Sequence, residues 1–266
     1  MKQTTLYCGT MILVLLAISC FHKPKDIRND FLKAGITDES RQQGRDLLHK
    51  MEQAYGGREA WDSLTYGEFI QIADWYGRTP IAHWDTLPQR YRLRAVLGSH
   101  DCELQLLNGP NTGLSYKIQE GTFMVKAAGG EWQEAEENSY AEKMIFKNYW
   151  FQFPFRIGEA SIISYAGEEE LEGTTYQLLY ATWGEEAANS TYDQFLMYVH
   201  PTSFQIEYLY FTVREKLKSQ SVTARFDSFR QAGPFVLPHS QFVSVGRPAG
   251  LQVKAHENHY QSIVFE

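Results

Sequence analysis

The chain has 266 residues, with 25 basic and 32 acidic side chains and a formal net charge of −7. That balance argues against nucleic-acid binding and against electrostatic docking on anionic lipid, both of which use clustered positive charge. Aromatic residues make up 14% of the chain, enough for a large apolar core or for the half-wet walls of a cavity.

Lys2 precedes an apolar run over residues 11–20 that is too short to cross a bilayer. A basic start, a short apolar stretch and a small residue before the break form a secretory signal. Ala17-Ile18-Ser19-Cys20 resembles the bacterial lipobox. The resemblance implies removal of residues 1–19 and acylation of Cys20, with chains such as palmitate holding the protein to a membrane. Two or more such chains give stable anchoring, at about 0.8 kcal/mol per buried methylene. Phe21, not an aspartate, follows the cysteine, which favours the outer membrane. Cys8 leaves with the signal and Cys20 carries lipid, so Cys102 has no disulfide partner. Residues 20–37 are polar and read as a lipidated tether, and 38–266 as one domain.

Leu47, Leu48, Met51, Ala54 and Tyr55 recur at helical spacing, with Asp38 or Ser40 as cap and Gly56-Gly57 as stop. A short turn with Trp61 and Leu64 follows. Strands begin near Thr65. Tyr91, Leu93 and Ala95 alternate with Arg90, Arg92 and Arg94; Cys102, Leu104 and Leu106 and then Leu114, Tyr116 and Ile118 continue the pattern. Gly-containing turns join them into an antiparallel meander.

Ser139-Tyr140-Ala141-Glu142 offers a capping box for a second helix. That helix ends in an aromatic cluster, Tyr149, Trp150, Phe151, Phe153 and Phe155, where Pro154 is expected to terminate it. Tyr149, Trp150 and Phe153 are candidates for a lid over a cavity, with core packing as the alternative. The later strands, 175–181, 195–199 and 206–213, are apolar on both faces, as in sheets covered on both sides. Segments 222–226, 235–245 and 253–260 complete the sheet.

No catalytic or metal motif is present in the pattern. His100, Asp101 and Cys102 are adjacent, but neighbouring strand residues point to opposite faces. His256 and His259 are three apart on a strand, which is poor metal geometry. The acid runs at Glu134–Glu137 and Glu168–Glu172 read as solvated turns. No catalytic residue, metal ligand or cofactor is assigned.

The layout resembles the lipoprotein carrier and receptor family, LolA and LolB. The residues that carry the resemblance are the helix ending in Gly56-Gly57 with Trp61 beyond it, Gly173-Thr174-Thr175-Tyr176, Tyr198-Val199-His200-Pro201, and Arg225-Phe226-Asp227 before Gly233-Pro234-Phe235-Val236-Leu237-Pro238. It implies a mainly β fold: an incomplete antiparallel barrel of about ten to eleven strands, with helices covering the concave side and an apolar cavity between. The candidate lining is Tyr91, Leu93, Leu104, Leu106, Tyr176, Leu178, Phe195, Met197, Ile206 and Tyr208. The expected role is non-catalytic binding of a hydrophobic ligand, an acyl chain or lipidated peptide, at the cell envelope. Two alternatives stand beside it: an interaction subunit with a filled barrel that meets an envelope protein, and an enzyme of unrecognised type.

Overall fold

The structure, a computed structural model, describes residues 24–33, 35–76, 88–214, 217–250 and 254–266, with backbone alone at 217–219. The signal over 1–19 and the lipidation site Cys20 lie outside the described residues.

Among the described residues, thirteen antiparallel strands form one open sheet in the order β6-β5-β4-β3-β2-β1-β13-β12-β11-β10-β9-β8-β7. They are β1 (Tyr66–Trp75), β2 (Gln89–Val96), β3 (Cys102–Leu106), β4 (Ser115–Gln119), β5 (Thr122–Lys126), β6 (Gln133–Glu134), β7 (Ile162–Leu171), β8 (Thr174–Thr182), β9 (Gln194–Val199), β10 (Ile206–Val213), β11 (Leu217–Ala232), β12 (Phe235–Val245) and β13 (His256–Phe265). The count exceeds the expected ten to eleven because β6 and β7 are strands. Glu168, Glu169 and Glu170, read above as a turn, lie on β7, where Glu169 accepts a hydrogen bond from the Tyr198 hydroxyl at 2.7 Å. The one junction between strands distant in sequence is β1–β13; there Gly67 pairs with Phe265.

Alternation holds where one face is wet. On β2 the three arginines are exposed while Tyr91, Leu93 and Ala95 are buried. The β12 proline, Pro238, is tolerated opposite Phe229, beside Ser228 in its left-handed conformation, an irregularity that spares the ladder a donor at that place.

The N-terminal segment carries a single helical turn, α1 (Arg28–Phe31), ahead of α2 (Asp38–Tyr55) and α3 (Arg58–Asp62); α4 (Ser139–Arg156) joins β6 to β7. The α2 cap is Thr37, one residue before the expected Asp38: its Oγ1 accepts from Ser40 N, and Ser40 Oγ accepts from Thr37 N. Likewise Asn138, not Ser139, caps α4, accepting from Tyr140 N at 2.8 Å. Pro154 does not end α4, which runs to Arg156. Complete burial of Phe155 and Ile157 holds the last turn against the proline's missing donor.

Residues 24–33 are not a free tether. Ile27 and Leu32 are buried on the convex face of the sheet with Ile162, Leu178, Tyr180, Leu196, Tyr198 and Tyr210, and Phe31 packs beside them. The polar average of this segment hides a few well-spaced apolar residues. The chain then passes around the edge strand β7, where Ser164 Oγ donates to Ser40 Oγ, and α2 lies on the concave side. The strap and α2 thereby cover an edge that would otherwise offer unpaired backbone to another chain.

Candidate functional site

Helix α4 starts beside one edge strand, β6, and ends beside the other, β7, so it crosses the whole concavity. Its two faces meet different surroundings. One face fills the space over β1–β4. Phe151 packs on Phe69 with ring centres 4.7 Å apart, Asn148 Nδ2 donates to Ser99 O at 3.1 Å, and Gly98 N donates to Gln152 Oε1 at 2.7 Å. The other face, with Ile145, Phe146, Tyr149 and Trp150, borders an open cavity of about 880 Å³.

The opposite wall comes from one end of the strands. Phe211 and Val213 lie at the end of β10, Val243 and Val245 at the end of β12, Val222 near the start of β11 and Phe195 near the start of β9. Trp75 and His256, a cross-strand pair of β1 and β13 stacked at 4.2 Å, close one side. The wall is predominantly apolar. Polar groups are set into it: Arg156, Glu159 and His100 at one end, and Asp193, Thr212 and Arg214 where β9 begins beside the end of β10.

Several of these polar groups are electrostatically unusual. Arg214 is buried, and its two terminal nitrogens have no hydrogen-bond partner among the described residues; burial lowers its pKa. The Tyr149 hydroxyl is likewise buried without a partner, and burial raises its pKa. Burial, with Lys147 near it, holds the His256 imidazole down at about 3, so it is neutral.

The expected lining divides three ways. Phe195 lines the cavity, and Ile206 lines a small inner space beside it. Met197 is buried in the same concave core, and Tyr91, Leu93, Leu104 and Leu106 sit in the filled half under α4. Tyr176, Leu178 and Tyr208 are on the convex face, beneath the strap. Strands apolar on both faces carry no mark of which face is inward, and a register shift between Ile206 and Tyr208 turns those two residues to opposite sides. The three lid candidates do share a side. Tyr149 and Trp150 line the cavity, while Phe153, only 1% exposed, packs 5.7 Å from the Phe195 ring. Trp150 also lines the inner space and so stands between the two.

Phe211, Val213, Val243 and Val245 were missed by sequence reasoning. Their signal was two-residue alternation at strand ends, legible only once those ends are known to meet. The chemical candidates lie elsewhere. Cys102 is buried on β3, and burial with Asp101 beside it pushes its thiol up to about 12. On β13, His256 is buried and His259 exposed, on strand positions that do not converge. No group of three metal-ligating side chains occurs among the described residues.

No protein-family profile and no curated protein matches the sequence. Solved structures do. A DUF1329-family protein of Desulfovibrio piger superposes with a TM-score of 0.55 at 12% identity, over 85% of this chain and 93% of that one. A domain of Vibrio parahaemolyticus, provisionally described as outer-membrane lipoprotein-sorting, gives 0.54 at 9% identity over 85% and 93%. A LolA-superfamily protein of Nitrosomonas europaea gives 0.53 at 10% identity over 84% and 93%. At such identities the likeness concerns architecture: this chain has the LolA-like fold, an open antiparallel half-barrel with helices in its concavity.

Proposed function

We propose that the chain is a lipid-anchored protein of the bacterial cell envelope that shelters the apolar part of an amphiphile, without catalysis, between α4 and the strand ends. The observation that carries this reading is the cavity of about 880 Å³ with its apolar wall. Ligand clefts typically measure about 300–1,000 Å³. Each methylene moved from water onto these walls contributes about 0.8 kcal/mol. The lipobox-like Ala17-Ile18-Ser19-Cys20 supports the anchor, and Phe21 supports the outer membrane. The LolA-like fold is compatible with an apolar ligand, and the buried, raised thiol of Cys102 argues against its use as a nucleophile.

Native mass spectrometry of gently purified protein tests the reading. A co-purifying acyl-containing molecule, displaced by a fluorescent fatty acid that competes for the same space, is the expected result. A ligand-free protein that also fails to take up the fluorescent acid contradicts it, and leaves the role of an interaction subunit for an envelope partner.

A further inference from the structure

The rim of the cavity is unusually greasy. Six large apolar side chains are exposed among the described residues: Tyr76, Ile145, Phe146, Tyr192, Val245 and Val264. Ile145, Phe146, Tyr192 and Val245 all line the cavity, and Tyr76 follows directly on Trp75, which does too. Val264 alone lies at the opposite end of the sheet, paired with Glu68. Single exposed apolar residues are ordinary on a protein surface, but their collection around one opening marks a contact with something apolar.

The N-terminal strap begins at the same end. Ile27 N donates to Gln194 Oε1 at 2.9 Å, and Gln194 Nε2 donates to Asp26 Oδ1 at 3.1 Å. Gln194 follows Asp193, whose carboxylate accepts from Thr212 Oγ1 at 2.9 Å, and both Asp193 and Thr212 lie on the cavity wall. Complete burial of Ile27 fixes this attachment.

Reach then decides which end of the domain faces the lipid. Five residues lie between Cys20 and Asp26, so six residue steps span at most about 20 Å of extended chain. A ten-residue strand such as β1 is about 33 Å long. An acyl anchor on Cys20 therefore reaches the mouth end and cannot hold the far end to the membrane.

We propose that the docked strap holds the cavity mouth against the bilayer that carries the anchor, with the apolar rim of Ile145, Phe146, Tyr192 and Val245 in contact with lipid. The inference rests on the acylation of Cys20 proposed above. It gives the cavity a direct supply: an amphiphile passes between bilayer and barrel without crossing water. Glu137 and Glu142 on the same wall make the surface fit a zwitterionic better than an anionic bilayer.

The test uses the full chain, produced in a bacterium that acylates it and reconstituted in phosphatidylcholine vesicles containing nitroxide-labelled acyl chains. A fluorophore is attached after Phe146→Cys, Val245→Cys or Val264→Cys, with the buried, unreactive Cys102 left in place. Loss of fluorescence at the first two positions and none at the third is the expected result. In an Ile27→Asp background, where the strap undocks, the protein still floats with the vesicles but the difference between rim and far end disappears. Equal quenching at all three sites, or stronger quenching at Val264, in protein that floats overturns the orientation and leaves the binding function standing. Protein with a free Cys20 thiol that stays off the vesicles overturns both the orientation and the anchor. A rim difference that survives Ile27→Asp overturns the part assigned to the strap.

Discussion

Lys147 donates to Gln71 Oε1 at 3.0 Å inside the filled half of the concavity, with its ammonium 4.5 Å from the ring centre of Tyr91. Burial, with Lys143 on the next turn, lowers its pKa to about 7 from 10.5. Between those values the unfolded chain binds the proton that the folded chain releases, so this residue makes stability rise with pH across about 7 to 10.5. Below pH 7 the folded state must bury the charge. Lys147→Met removes that dependence. Thermal melts should show the variant gaining most over the parent near pH 6 and the gain shrinking by pH 9. A constant difference across this range would mean the amine does not titrate there.

Gly44 on α2 lies against β7 so closely that a Cβ would come within 2.8 Å of the Ser164 and Tyr165 backbone. An alanine in an exposed helix interior stabilises by about 1 kcal/mol over glycine. Here overpacking, at about 1–3 kcal/mol, opposes it. Gly44→Ala should lower the melting temperature, the reverse of the helix-propensity effect.

Ile27 is the central anchor of the strap, with no exposed surface. Ile27→Ala removes about 2 kcal/mol or more of packing. Limited proteolysis should then cut within residues 24–36 well before the barrel is attacked, whereas the parent resists at both places.

Phe146 and Phe153 are on the same side of α4 but differ in burial, at 37% and 1% exposed. Phe153→Ala should cost about 3–5 kcal/mol, since a core ring is lost. Phe146→Ala should leave the melting temperature nearly unchanged and weaken uptake of a fluorescent fatty acid. If both variants lose only uptake, Phe153 is a lid residue; if neither alters uptake, the cavity is not the binding site.

Strand positions over 90–119 were legible because one face is wet: the arginines of β2 pair outward, Arg92 with Glu68 and Arg94 with Glu266, while the alternate residues are buried. Tyr176, Leu178 and Tyr208 were misplaced because β8–β10 have no polar face to give the phase. The exposed rim residue Ile145 stood in a recognisable helical stripe, yet nothing local set it apart from its buried neighbour Met144.

What the sequence alone determined was periodic and local: where strands alternate, where α2 stops at Gly56-Gly57, and that an aromatic helix interrupts the sheet. Tertiary structure decided which face each two-sided strand turns inward, that residues 24–33 cover the convex side, and that α4 fills one half of the bowl and leaves the other open. Period and turn chemistry act over a few residues. Covering a face is a competition between segments far apart in the chain, as when Ile27 meets Gln194, and only the folded arrangement resolves it.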